Sequence, residues 1–250
     1  MKKIKFKISV FNRYLILLIV LLFSYLSYLS LPSFYKFDLL KNDLTNKLLK
    51  EFNLNASFSD NIKYSLLPWP NFEIKNVYLS INRNKTSQFA QIKKIRVYLN
   101  LSKLHSQKKY QIKKIVFMDS NIDINKNSYN YINNYLKNII SDKKIEILKS
   151  KIFFTKNNNK KDPVAISTIY KSELFYDKKN NINKSNIKGS IFNTNFTLNF
   201  LRKINTLNPT TIDINFEEIN FKIKNESTLI KNNKNNYMGN TTISFLNNKN

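Results

Sequence analysis

Few side chains in this sequence combine the types and the spacing that chemistry needs. Asp119 and Asp123, and the adjacent Glu217 and Glu218, are carboxylate pairs that could share a proton or hold a cation. Asp123, however, alternates with Ile122 and Ile124, which puts it on the polar face of a strand. His105 is the single histidine, in the polar run LHSQKKY with no carboxylate pattern beside it, and reads as a surface residue. Cysteine is absent, which removes disulfides, thiolate chemistry and cysteine-bound zinc together. No glycine-rich phosphate loop, HExxH run or nucleophile elbow is present. The expectation is a protein with no catalytic, cofactor-binding or metal residues, one that is not an enzyme.

The formal net charge of +26 raises nucleic acid as a partner, because phosphate neutralisation by Lys and Arg dominates such binding. Here the lysines are spread along the whole chain, with no dense basic helix, zinc-finger spacing or aromatic RNP-type strand. Lys, Asn, Ile, Phe and Tyr dominate while Gly falls to 2 residues, the signature of AT-rich codons, so composition alone carries little. A solvated Lys face with some attraction for anionic lipid headgroups is the better reading, and no nucleic-acid partner is expected.

The elements say more. Residues 14–31, YLILLIVLLFSYLSYLSL, carry no charge, and as a helix they reach about 27 Å, close to a hydrocarbon core. Lys2, Lys3, Lys5, Lys7 and Arg13 precede them, which keeps the N-terminus cytoplasmic by the positive-inside rule. A cleaved signal peptide is the competing reading, but the positions that need small residues hold Tyr28 or Tyr25, so an uncleaved anchor is expected. Asp38 suits an N-cap, and Leu40, Leu44, Leu48 and Phe52 form the stripe of an amphipathic helix.

In residues 65–81, SLLPWPNFEIKNVYLSI, Pro68 and Pro70 flank the single Trp69 and stop whatever precedes them. Phe72 and Ile74 then alternate with polar residues, and Val77, Leu79 and Ile81 do so in the opposite phase, which predicts a bulge or bend near Lys75 and Asn76. QIKKI occurs at Gln91 and again at Gln111, each time followed by apolar residues two apart, with looser copies at Glu73 and Lys143. Such strands at intervals near 20 residues suggest one sheet growing by serial addition. Ile132, Tyr135, Leu136, Ile139 and Ile140 follow helical spacing within 128–141 and predict a helix packed across the sheet. Further strands are predicted at 145–154, 166–176, 186–193, 195–200, 211–217, 219–223 and 241–245, separated by Asn- and Lys-rich links such as 157–161 and 231–236. Gly189 and Gly239 each stand at the start of a predicted strand, and with so few glycines the positive-φ positions are expected to fall to Asn.

This order of parts resembles the N-terminal region of the AsmA family of Gram-negative envelope proteins. The likeness runs through the basic-flanked anchor, the short helix, SLLPWPNFEIKNVYLSI, the paired strands of FAQIKKIRVYLNLSKLHSQKKYQIKKIVFMDSNIDI and the Asn and aromatic residues of NSYNYINNYL. NIKGSIFNTNFTLNF and NYMGNTTISFL are similar to the glycine-marked strands that begin new β repeats in the family. Family glycines are mostly replaced by Asn or Lys here. Many members continue for hundreds of residues with a further C-terminal domain, so a short variant, a truncated product and the first portion of a longer protein all stay open.

The resemblance implies an α+β, mainly β fold: a transmembrane helix, a short amphipathic helix, then an elongated twisted antiparallel sheet forming an open groove, with one further short helix. Three regions are expected: the basic tail and anchor at 1–34, the helix and first β repeats at 35–127, and the second helix with the continuing sheet at 128–250. The implied protein is single-pass in the inner membrane, with its bulk in the periplasm and phospholipids as partners. The implied role is phospholipid transport between inner and outer membranes and outer-membrane assembly. Ile95, Val97, Leu99, Leu101, Ile122 and Ile124 are the expected groove residues, and Pro68, Trp69 and Pro70 a turn at the bilayer surface. No cofactor is implied. Two alternatives stay open: an ordinary sheet whose apolar face the helices cover, and an anchored scaffold with other envelope proteins as partners. Washing membranes at alkaline pH is expected to leave the chain in the pellet. Its release to the supernatant would overturn the span and reopen nucleic acid as a partner.

Overall fold

A computed structural model of the chain describes residues 10–34, 37–52, 54–58, 62–67, 69–81, 88–104, 111–156, 163–204, 207–230 and 237–245. The side chains of Leu40 and Phe52, all of Pro68 and His105, the basic tail through Lys7 and the links 157–161 and 231–236 lie outside the described residues. Helix α1, Val10–Ser30, continues as a 3₁₀ turn, Leu31–Phe34. Together they give one stretch, Asn12–Phe34, long and apolar enough to cross a membrane, with its apolar side chains exposed along most of its length. Helix α2 is Phe37–Phe52; Asp38 lies inside its first turn rather than at the cap, where its charge still faces the positive end of the helix dipole.

Among the described residues twelve strands form a single sheet. They are β1 (Asn55–Phe58), β2 (Lys63–Ser65), β3 (Asn71–Ser80), β4 (Gln88–Leu99), β5 (Ile112–Ile124) and β6 (Lys144–Thr155). The remainder are β7 (Pro163–Asp177), β8 (Ile182–Ile191), β9 (Thr194–Lys203), β10 (Thr210–Phe216), β11 (Phe221–Leu229) and β12 (Tyr237–Phe245). From β3 to β12 spatial order follows chain order, the serial growth expected of the repeats, while β1 and β2 both pair with β3. One pair departs from the expected antiparallel pattern. β5 and β6 run parallel, because helix α3, Lys126–Lys137, carries the chain back along the sheet between them. All seven later strands are present. The one expected from Ile219 starts instead at Phe221, after a 3₁₀ turn, Glu217–Ile219.

The phase change seen at Lys75 and Asn76 is one of five. Side chains on one face, here called the inner face, step by three instead of two from Ile74 to Val77 in β3 and from Ile92 to Ile95 in β4. The same step takes Phe117 to Ser120 in β5, Ile147 to Ser150 in β6 and Ile169 to Ser172 in β7. The steps lie opposite one another, since Ile74 pairs with Ile95 and Ile95 with Phe117, while Val77 pairs with Ile92 and Ile92 with Ser120. Asn76, Asp119 and Lys149 take positive φ at this level, 51°, 52° and 49°. The pairs from β3 to β7 keep register through this level because the steps match, and only between β7 and β8, which does not step, does the register shift, at Ile169 and Lys171. The five matched steps form one line across the strands, here called the crease.

The core is built on this inner face at the β3 end. Leu44 and Leu48 of α2 join Phe72, Ile74, Val77, Ile92, Ile95 and Val97 in one buried cluster. The opposite face carries the charges: Glu73 meets Lys94 and Arg96, Lys114 meets Glu146, and Lys144 and Lys171 both meet Glu173. Hydrogen bonds from Lys144 and Lys171 hold the Glu173 carboxyl below its ordinary value. Such partly exposed pairs contribute roughly 0–1 kcal/mol each, so they define the wet face more than they stabilise it.

Asn does take up positive φ, at Asn76, Asn181, Asn193, Asn208 and Asn220, whereas neither glycine does. The glycines also stand within strands rather than at their starts, Gly189 close to the end of β8 and Gly239 three residues into β12. Their role is close approach: a Cβ on Gly189 would lie 2.3 Å from the Thr168 carbonyl oxygen, beside the register shift between Ile169 and Lys171. Gly189→Val is therefore expected to lower stability by about 1–3 kcal/mol, the range for overpacking, read as a lower denaturant midpoint. An unchanged midpoint would remove the close approach as the reason for this glycine.

Candidate functional site

Because the pairings keep one side-chain phase from strand to strand, the inner face is continuous from β3 to β12. Its central ladder runs Ile74, Ile95, Phe117, Ile147, Ser172, Ile187, Leu198, Ile214, Ile223 and Ile243, one residue from each of ten strands. At about 4.8 Å per strand it extends roughly 40 Å. Only Ser172 interrupts its apolar character. Beside it the phenyl rings of Phe196, Phe216, Phe221 and Phe245 follow one another across β9 to β12, with successive centroids 6.0, 5.6 and 4.7 Å apart.

The cover over this face is uneven. Ile74 and Ile95 are 0% exposed beneath α2, whereas Ile243 at the far end is 58% exposed. Between them Ile187, Leu198, Ile214 and Ile223 are half-buried. The closed core and the open groove are thus two ends of one surface.

Helix α3 lies across the middle of it. Asn125 caps the helix, its Oδ1 accepting from the N–H groups of Asn127 and Ser128 at 3.0 and 2.9 Å, while its own N–H donates to Ser128 Oγ. Tyr131 sets its ring edge against Phe89 and stacks on Tyr135, which seats the aromatic side of α3 on the core. Burial pushes the Tyr131 phenol pKa up. At the other end Asn183, on the inner face of β8 and fully buried, holds the chain leaving the helix. Its amide donates to the carbonyls of Leu136 and Asn138 at 3.4 and 2.7 Å and accepts from the Ile140 N–H at 3.3 Å.

The apolar helix α1 is tied to the base of the same sheet. Tyr28 Oη donates to the Leu101 carbonyl at 2.7 Å, and Tyr64 Oη of β2 donates to the carbonyl of Leu29. Tyr28 is thereby a tether between α1 and the sheet. Tyr25, by contrast, stays exposed.

Of the residues expected to line a groove, Ile95, Val97 and Leu99 stand on the inner face but are sealed in the core, because α2 covers this end. Leu101 lies beyond β4 in a 3₁₀ turn, Leu101–Lys103, half-buried against the core. Ile122 and Ile124 are half-buried on the inner face of β5, just before α3 begins. The open apolar surface falls further along, on β8 to β12, where the strands had been recognised but not their shared face. Of the turn residues, Trp69 is 58% exposed next to an exposed Leu67, while Pro70 is buried. Asp119 is exposed at the crease, Asp123 is half-buried, and Glu217 and Glu218 are exposed in a turn where Glu218 accepts from the Asn195 amide. Among the described residues no group of three or more His, Cys, Asp or Glu side chains is placed to hold a metal.

An apolar helix tied to the base of a serially built, creased sheet agrees with the one comparison that identifies a family: the model of the AsmA family matches residues 1–147. The chain belongs to the AsmA family. The matched region runs from the basic tail into β6, so it takes in α1, α2, the closed end of the inner face and α3. No individual curated protein matches the chain.

Asn183→Ala removes the hydrogen bonds to the Leu136 and Asn138 carbonyls and leaves the N–H of buried Ile140 without its Asn183 partner, at about 1–3 kcal/mol for that group. The expected outcome is faster hydrogen exchange at the end of α3 with β3 to β5 unchanged. Unchanged exchange at α3 would show that Asn183 does not hold it.

Proposed function

We propose that this AsmA-family protein is a membrane-anchored carrier of phospholipid. Helix α1 holds it in the inner membrane with the N-terminus cytoplasmic, the sheet stands in the periplasm, and acyl chains lie against the open part of the inner face. The observation that carries this reading is the ten-strand apolar ladder that passes from full burial at Ile74 to 58% exposure at Ile243. An exposed apolar surface of this length calls for a partner in an aqueous compartment, and an acyl chain has the matching shape and chemistry. The resemblance drawn above, with its link to phospholipid movement and outer-membrane assembly, points the same way. Moving an acyl chain from bilayer to trough roughly conserves the ~0.8 kcal/mol per methylene of apolar burial. The trough therefore lowers the cost of crossing water and does not itself drive transport.

No bond is made or broken in this role, and neither an enzyme activity nor a cofactor is invoked. The hydrogen bonds from Tyr28 of α1 to the Leu101 carbonyl and from Tyr64 of β2 to the Leu29 carbonyl would set the first strands beside the bilayer, and there Leu67 and Trp69 would enter the headgroup region. A second reading, an anchored scaffold for envelope proteins, draws on β12, whose outer edge is unpaired among the described residues and whose Met238 and Phe245 are exposed.

Full-length protein extracted in mild detergent is expected to carry phospholipid detectable by mass spectrometry. An acyl photoprobe is expected to label Leu198 and Ile214 and to spare Ile95 and the outward Lys188. Lipid-free protein with no labelling on β8 to β12 would defeat the carrier reading and leave the scaffold.

A further inference from the structure

The inner face holds one charge. Among the described residues, the only charged side chain that the strand pairings place there is Arg202 of β9, which lies between Asn183 of β8 and Thr210 of β10. It is 5% exposed. Its Nη2 donates to Tyr237 Oη of β12 at 2.5 Å, while its Nε, also buried, has no hydrogen-bond partner among the described residues. The guanidinium lies 5.5 Å from the centre of the Tyr237 ring, and Lys137 Nζ at the end of α3 lies 5.9 Å from the same centre. Two cations thus converge on one ring, on a face to which the pairings bring no carboxylate.

The surroundings are zoned to match. Asn183, Arg202, Thr210 and Ser227 form a polar row across β8 to β11; the next row is mixed, with Phe200 and Ile212 between Ser185 and Asn225, and the row after it is wholly apolar at Ile187, Leu198, Ile214 and Ile223. A guanidinium keeps its charge, so burying one is costly unless an anion or other partner compensates it, and an Arg fork is shaped to take two oxygens of a phosphate at once. We propose that Arg202, with Lys137 and Tyr237, forms the phosphate-binding subsite of the trough. It takes the phosphodiester of a phospholipid whose acyl chains lie along the adjoining apolar rows. This assignment rests on the carrier reading and adds to it a fixed position for the headgroup.

The test uses phosphatidylcholine vesicles carrying equal amounts of phosphatidylglycerol and diacylglycerol with identical acyl chains. The detergent-purified full chain is exposed to them, re-isolated, and the ratio of the two dopants on the protein read by mass spectrometry. The wild type is expected to enrich phosphatidylglycerol at least fivefold. Arg202→Gln is expected to bring the ratio near one with total lipid per chain within twofold of the wild type, and Arg202→Lys to fall between. An unchanged ratio in a folded Arg202→Gln protein overturns the subsite and leaves the carrier standing. Should that variant not fold, judged by thermal melting, Lys137→Gln decides: at least a twofold fall in the ratio supports the subsite, and no change overturns it. A wild type that takes up no lipid defeats the carrier reading. Equilibrium dialysis with inorganic phosphate alone then separates the two sources of the anion. Phosphate binding that Arg202→Gln abolishes keeps an anion site for free phosphate, and no binding overturns the site altogether.

Discussion

Everything on the inner face depends on five strands breaking step at the same level. Side chains alternate with a period of two, so one skipped residue turns the rest of a strand inside out. Had β3 alone shifted phase at Asn76, its register with β4 would have slipped there by one residue, as that of β7 with β8 does between Ile169 and Lys171. Because β4, β5, β6 and β7 shift with it, each apolar residue finds an apolar or small neighbour on both sides of the crease. The steps cost little where Asn76 and Asp119 adopt positive φ, since short polar side chains tolerate that conformation best. At the crease the inner row narrows to Ser120 and Ser150, both buried, with Ser150 Oγ accepting from the Ser120 N–H.

The same continuity explains how a closed core and an open trough coexist. Nothing in the ladder distinguishes Ile95 from Ile223 by residue type; what differs is the cover. Two leucines of α2 seal the β3 end, α3 crosses the middle under the hold of Asn125 and Asn183, and no described element covers the last strands as α2 covers the first. Buried packing is therefore concentrated beside α1 and exposed apolar surface beyond it. The aromatic row from Phe196 to Phe245 stiffens that open part through ring contacts between neighbouring strands. Arg202 belongs to the same picture, since a lone charge on an apolar face is costly unless a ligand completes it.

Much of this was legible in the chain. Uncharged residues of membrane length have one principal use, so α1 could be read directly, as could the helical spacing of Ile132, Tyr135 and Leu136. Period-two alternation disclosed the strands, and its reversal at Lys75 disclosed the first of the five steps. The steps at Asp119 and Lys149 were harder to see, because residues such as Met118 and Leu148 are apolar yet face outward and blur the phase. Asn183 and Arg202 escaped notice for a different reason. Each reads as one more polar residue in a Lys- and Asn-rich sequence, and only their pairing across β8 and β9, the approach of Tyr237 and the arrival of α3 give either a role.

The sequence by itself determined the long apolar helix, the serial order of strands and the two-faced character of each, because these follow from hydrophobic length and from alternation within a few residues. The tertiary structure alone decided which apolar residues are sealed and which stay open, and that one buried arginine faces the trough. Burial and charge compensation depend on what lies across the sheet, and that depends on registers set between strands and on where two helices come to rest. No local pattern contains those distances.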